Sequence, residues 1–412
     1  MQQVSVSKPS DFPRDKKFRD PMTPPFCDEN GVYHVFSMAD VMQVLVNREA
    51  AFTRDPSPWL PDEGPLHMAL NFMWMIEPFT LDGAEGRHDP LRRVVEPWFK
   101  NRAVRTMQPI IRELTFEMIN EVVSKGTGEL NLATELSSRL SMRVICRLTG
   151  IELEREHWMR KKLDEFNQAT WSDLPPQWEV QAYFWQMVAK RTARPQDELL
   201  DVIVEAWKTG AIDDDELLGY IYGFMAAGTD TTGASLVNAF ALLAEFDLLD
   251  YTRGVLDDDE AMRRLVEEIL RFGTPFPMKP LYVRKDSRFG ELDVPAGSVL
   301  TIWFSAANRD EAVNGGEPGA DPNVFDPKRW PNKHIALGWA KHHCLGAELA
   351  RLETRILIEE ALRRLPGLRM DESKPFSRYA GLVDSVTEAY FTFDQEHAEQ
   401  IRHAGHEAVQ LA

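Results

Sequence analysis

One cysteine in this 412-residue chain stands where a thiol can do chemistry. Cys344 closes the stretch His334-Ile-Ala-Leu-Gly-Trp-Ala-Lys-His-His-Cys344 and is followed by Leu345 and Gly346. The next residues, Ala-Glu-Leu-Ala-Arg-Leu-Glu-Thr-Arg, form helices strongly and carry apolar side chains at helical spacing. A thiol at a helix start meets unpaired N–H groups and the positive end of the dipole, which lower its pKa and favour the metal-ligating thiolate. Structural zinc wants four ligands. A lone thiolate suits haem iron, which takes one protein ligand and leaves its opposite face open. Cys27 and Cys146 read instead as small buried hydrophobes.

A second constellation is Ala227-Gly-Thr-Asp-Thr-Thr232, inside a long apolar helix that the pattern places at about Asp213 to Phe246. Gly228 and Gly233 weaken a buried helix for no evident packing gain. Threonine hydroxyls bonded back to i−4 carbonyls bend helices, so a local opening with room for a small ligand and a water is expected. Asp230, if buried there, needs a partner or a use. A third is Glu268-Ile-Leu-Arg271, an i,i+3 pair that alone is usually a solvated surface pair.

These residues must be positioned by a mainly helical fold. Gly31–Phe36 reads as a strand and Met38–Arg48 as a helix capped by Ser37. Residues 53–86 form a long connection around the apolar run Phe72-Met-Trp-Met-Ile76, either a functional loop or a short buried helix. Helical periodicity follows over Leu91–Phe99, Arg102–Ser124, Ala133–Leu148, Glu152–Ala169 and, past Pro175-Pro176, Trp178–Arg191. Strand-like segments come late, at Leu281–Val283, Ser298–Trp303 and Glu388–Phe393. The expected organisation is an irregular arm over 1–30 and a single catalytic domain over 31–412, mainly α with a small β region.

The whole chain narrows the function further. A net charge of −18 argues against nucleic acid as a partner. No stretch approaches the roughly 20 apolar residues of a membrane span, and the N-terminus lacks a signal-peptide plan. Three separated cysteines make no disulfide framework, which fits a reducing cytoplasm.

The cysteine loop resembles the haem-ligand signature of the cytochrome P-450 family, Phe-Gly-x-Gly-x-His/Arg-x-Cys-x-Gly, at Gly338, His342, Cys344 and Gly346. Leu337 stands for the phenylalanine, with a tuning effect expected, and Ala340 for the second glycine. Ala340 costs about 1 kcal/mol if its φ is positive. Residues 227–232 resemble the family's oxygen-activation motif, and Glu268/Arg271 its Glu-x-x-Arg element. The resemblance spans residues 30 to 395, in the family's order.

It implies a haem b (iron protoporphyrin IX) between the central helix and the cysteine loop, with Cys344 on the iron. His88, Arg92, Arg284, His334 and His342 would meet its carboxylates. Thr231 would hydrogen-bond dioxygen and Asp230 would relay protons. Arg329 would join Glu268 and Arg271 in an ion-pair cluster that locks the loop. The activity implied is insertion of one oxygen atom into a hydrophobic substrate of aromatic or polyketide type. Non-hydroxylating oxidation on the same scaffold, such as coupling or desaturation, and a non-catalytic haem or ligand binder remain alternatives.

Pocket candidates are Phe72, Met75, Ile76, Met225 or Ala227, Phe276, Leu281, Leu382 and Val383, and Lys279 could anchor an acidic substrate group. Electrons would come from a ferredoxin-type or flavodoxin-type partner. Arg87, Arg92, Arg93, Lys100, Arg102, Arg105, Lys341 and Arg351 would steer it to the thiolate face. A soluble, cytoplasmic enzyme is expected.

Overall fold

The computed structural model describes residues 3–5, 18–47, 50–53, 88–168, 178–314, 321–380 and 383–410. Seven helices carry most of what positions the site: α1 His88–Val95, α2 Gln108–Ser124, α3 Ser138–Thr149, α4 Glu156–Gln168, α5 Asp214–Glu245, α6 Asp259–Gly273 and α7 Ala347–Arg364. α5 is the axis, 32 residues long and buried along most of its length. It starts at a capping box: Asp213 Oδ1 accepts from Glu216 N–H at 2.8 Å, and Glu216 Oε2 from Asp213 N–H at 3.0 Å.

α3 crosses α5 closely, and the glycines are the reason. A Cβ at Gly228 would lie 2.3 Å from Ile145 Cδ1, and one at Gly233 would lie 3.1 Å from Ser141 Oγ. The expectation that these glycines serve no packing purpose is overturned: they let α3 settle on α5. α5 also runs through residues 227–232 without interruption, so the expected local opening is not seen. The threonines do bond back, Thr229 Oγ1 to Met225 O at 2.6 Å and Thr231 Oγ1 to Ala227 O at 2.5 Å.

Two other expectations shift. The helix anticipated over Arg102–Ser124 breaks at Met107 into Asn101–Thr106 and α2. Pro109 lacks the N–H an interior turn needs and sits in the first turn of α2 instead. Within the arm expected to be irregular, Phe26–Cys27 is a strand, because Asp28 Oδ1 accepts from Asn30 and Val32 N–H groups at 2.9 Å and turns the chain back.

The β region has its own apolar core. Strands β1 Phe26–Cys27, β2 Val32–Val35, β3 Phe52–Thr53, β4 Met278–Val283 and β5 Val299–Trp303 form one sheet in the order β1-β2-β5-β4-β3, with β2 and β5 parallel. Val35, Leu281, Val283, Leu300 and Ile302 fill its buried side. Near the C-terminus β6 Ser377–Ala380 and β7 Asp384–Glu388 pair antiparallel, and β7 packs on α5. Among the described residues no helix is long and apolar enough to cross a membrane. The Phe72–Ile76 run, the Pro175-Pro176 turn and Leu382 lie outside the described residues.

Candidate active site

The cysteine loop is a tight hairpin. The Cys344 N–H donates to Leu337 O at 2.8 Å and the Gly338 N–H to Ile335 O at 2.9 Å. Gly338 has φ 72°, and a Cβ there would meet His342 O at 3.1 Å, so both conformation and space demand glycine. Ala340 has φ 54°, the positive angle that its replacement of a glycine made costly. Gly346 has φ −84° and caps α7, and a Cβ there would meet nothing.

Cys344 is an exposed residue, although protein atoms crowd its thiol. Burial pushes its pKa up, against the pull of the Gly346 N–H, Arg92 and Arg351. The expected lowering by the helix start is present but smaller than the burial effect. Arg92 reaches the loop directly, Nη1 donating to His343 O at 2.9 Å.

The chain leading into the loop is tied to a buried ion cluster. Arg271 Nε and Nη2 bond the two Glu268 oxygens at 2.7 and 2.8 Å, and Arg329 Nε lies 3.3 Å from Glu268 Oε1. Asp326 N–H and Asn332 Nδ2 also donate to Glu268, at 2.8 and 3.0 Å. Arg271 Nη1 spans to Asn308 O and Pro322 O, at 3.0 and 2.8 Å. Glu268 and Arg271 are 0% exposed, so the pair is no surface pair. A carboxylate so buried is stable only when its oxygens are occupied, as they are here.

On α5, Asp230 is half-buried and paired with Arg160 of α4, Nη1 to Oδ1 at 2.9 Å. Arg160 was not anticipated. The signal was indirect: a carboxylate in a buried helix demands a partner, but nothing in the spacing says where it lies. Thr231 is half-buried, Ala227 is exposed, and a Cβ at Gly223 would meet nothing. Gly223, Ala227 and Thr231 thus form an i, i+4, i+8 line of accessible positions on a helix buried along most of its length.

The dispersed cations are partly brought together. His88 is buried, its Nδ1 2.7 Å from Asp89 Oδ1, and its ring stands edge-on to His342 with centroids 4.4 Å apart. Burial lowers the His88 pKa, opposed by Asp89. Lys341 reaches the same Asp89 at 3.4 Å. His334 is held elsewhere, Nε2 2.8 Å from Glu267 Oε2, and Glu267 also takes Arg351 Nε at 2.6 Å. Arg284 is exposed just past β4, its N–H bonded to Ala51 O at 2.7 Å.

Strand alternation separates two of the candidates. Side chains on β4 alternate faces, so Leu281 and Arg284 point opposite ways. Leu281, expected to line the pocket, is buried in the sheet core on the face opposite Arg284. Met278, Pro280 and Tyr282 share the open face with Arg284. Phe276 is half-buried against Phe304, ring centroids 6.3 Å apart, and Val383 is half-buried.

The residues present fit a haem. Cys344 is exposed with two arginines acting on its thiol, and the accessible line Gly223, Ala227 and Thr231 on α5 presents groups no larger than threonine. A mostly helical fold with one thiol loop and an acid–threonine pair on its central helix is the combination expected of a haem-thiolate enzyme.

Comparison with known proteins agrees. The family described as Cytochrome P450 matches residues 260–381. Cytochrome P450 107B1 of Saccharopolyspora erythraea is 30% identical over 345 residues, 80% of this chain and 77% of that protein. The erythromycin C-12 hydroxylase of the same organism is 29% identical, over 84% of this chain and 85% of its own. The mycinamicin IV hydroxylase/epoxidase of Micromonospora griseorubida is 30% identical, over 69% and 71%. Among solved structures, a mutant of P450 EryK in complex with erythromycin B superposes with TM-score 0.77 at 25% identity, over 90% of this chain and 93% of that one. The chain belongs to the cytochrome P-450 family. It is an enzyme of the monooxygenase class, whose bacterial members use haem iron, dioxygen and a redox partner.

Proposed function

We propose that this chain hydroxylates a hydrophobic natural product of polyketide or aromatic type, with Asp230 and Thr231 as its proton-delivering pair. The observation that carries this reading is the accessible stripe of α5, where Thr231 stands one turn from exposed Ala227 and next to ion-paired Asp230. A binding protein has no use for such a pair. Relatives named as hydroxylases of erythromycin and mycinamicin support the substrate class.

Cys344 would hold the iron, while His88, His342 and Arg92, with Arg284 and His334, would meet the carboxylates of haem b. That group supplies the activation of dioxygen when bound. Thr231 holds its proton at Oγ1, now donated to Ala227 O, and must release that bond to donate elsewhere. Asp230, half-buried, can take a proton from solvent and pass it inward, and Arg160 fixes its orientation meanwhile. Glu268, Arg271 and Arg329 keep the loop under Cys344 rigid. Phe276, Val383 and the open face of β4 would border the substrate, together with Phe72, Met75, Ile76 and Leu382.

Electrons would enter on the loop side from an acidic ferredoxin or flavodoxin. A groove of about 950 Å³ there is lined by Arg105, Arg112, His343, Arg351 and Arg355, with Asp259, Glu267 and Glu348 also on its wall. Of the cations first grouped, Arg92, Lys100, Lys341 and Arg351 are paired with Glu96, Asp89 and Glu267. Arg87 lies outside the described residues. Exposed Arg93, Arg102 and Arg105 make no ion pair among the described residues and carry the steering charge.

The test is the reduced carbon monoxide spectrum of the purified protein, followed by product mass under labelled dioxygen. A thiolate-type Soret band and one labelled oxygen per product are expected. A band of the histidine-ligated type would overturn the ligand assignment, and an unlabelled product would overturn hydroxylation.

A further inference from the structure

A second fully buried ion pair stands apart from the groups already described. Arg378 in β6 grips Asp384, the first residue of β7, with Nε and Nη2 on separate carboxylate oxygens, and both side chains are 3% exposed. The backbone of Asp384 is tied as well. Its N–H donates to Pro275 O at 2.8 Å, and its carbonyl accepts from Asn238 Nδ2 at 3.5 Å. Asn238 Oδ1 has no hydrogen-bond partner among the described residues, so only its amide N–H serves the junction.

Three segments therefore meet at one residue. Asn238 lies seven positions beyond Thr231 on α5, two turns away on the same face. Pro275 leads directly into Phe276, and Val383 directly precedes Asp384. All three are segments to which the substrate reading assigns the cavity wall.

Energetics point to geometry as the purpose. Burial drives the Asp384 carboxyl up to about 6, against the opposing pull of Arg378. A folded pKa above the unfolded one means that the ionised carboxylate costs stability at neutral pH. Well-packed apolar residues in place of such a buried pair are often neutral or stabilising. What the bidentate fork does supply is a fixed carboxylate plane, and with it a fixed backbone at the turn.

We propose that Asp384, oriented by Arg378, is a positioning residue that sets the spacing of the C-terminal turn, the Pro275–Phe276 stretch and the central helix, and thereby the width of the substrate cavity. The proposal rests on the monooxygenase reading above. The charged group facing Asp384 is Arg378 of its own hairpin; α5 contributes neutral Asn238, and the Pro275 stretch contributes a carbonyl.

The experiment uses the haem-loaded full chain and two iron-binding probes, imidazole and 4-phenylimidazole. Imidazole reports the iron alone, whereas the phenyl ring also reports the wall. In Asp384→Asn and Asn238→Ala the ratio of the two dissociation constants is expected to shift roughly tenfold, while imidazole alone changes little. With both constants expressed for the neutral form of each probe, the wild-type ratio moves the same way as pH falls through about 6, and in Asp384→Asn it does not. A ratio within about twofold of wild type in both variants overturns the proposal. If Asp384→Asn fails to retain haem, Asn238→Ala decides it. A wild type without the thiolate carbon monoxide band overturns the parent reading instead, so the two failures are distinct.

Discussion

Arg160 Nη1 lies 2.9 Å from Asp230 Oδ1, joining α4 to the middle of the central helix. The same guanidinium holds Asp164 Oδ1 one turn along its own helix, at 2.5 Å. Burial works against the Arg160 charge, yet Asp164 and Asp230 hold its pKa above the ordinary value. Arg160 is thus shared between two acids, Asp164 and Asp230. Asp230 turns toward Thr231 or solvent only by giving up part of its bond to Arg160.

Proton delivery through the pair has a measurable signature. Thr231→Ala is expected to keep consuming electrons while product falls, and Asp230→Asn to slow turnover by about 10²-fold, the low end for general acid–base groups. Arg160→Leu should change the solvent isotope effect without abolishing the carbon monoxide band. Product formed per electron consumed is the measurement for Thr231→Ala and turnover rate that for Asp230→Asn; an unchanged ratio in the first and an unchanged rate in the second exclude the relay.

Breaking the buried cluster should be severe. Glu268→Ala leaves Arg271 and Arg329 charged, buried and without their carboxylate. The expected cost is about 3–5 kcal/mol, with weak haem retention, because an orphaned buried charge is what makes such deletions costly. Denaturant midpoint and haem content read it together.

The loop carries its own strain test. Ala340→Gly relieves a φ of 54° and should stabilise by roughly 0.5–1 kcal/mol after the entropy cost of glycine. Gly338→Ala should destabilise, since φ is 72° and its new Cβ would crowd His342 O at 3.1 Å. Opposite shifts in melting temperature are expected.

Acid should release the network at His334. The Glu267 carboxyl is half-buried, which raises its pKa, but His334 and Arg351 overcome that and bring it to about 2, against an ordinary 4.5. Its folded pKa is depressed, so its stabilisation is present above pH 4.5 and is lost as pH falls toward 2. Glu267→Gln should flatten the stability profile in that window, as equilibrium unfolding at graded pH would show.

Electron delivery offers a charge test. Arg102→Glu with Arg105→Glu should slow reduction by an acidic ferredoxin and weaken its dependence on ionic strength. Stopped-flow reduction at rising salt measures this; a wild-type rate indifferent to salt removes the steering role.

Features set by near neighbours were legible in the sequence. The start of α5 at Asp213, the helix after Cys344 and the i,i+3 reach of Glu268 to Arg271 depend on contacts within a turn, and each is found as its spacing implied. Tertiary structure alone decided what lies far apart in the chain. Arg160 finds Asp230 from another helix, His334 is claimed by Glu267 across 67 positions, and Asp384 joins Pro275 to Asn238. It also showed which face of β4 Arg284 shares and why Gly228 must be small under Ile145. The reason is physical: helix caps and periodicity are encoded residue by residue, whereas the partner of a buried charge is selected by packing, which no local spacing specifies.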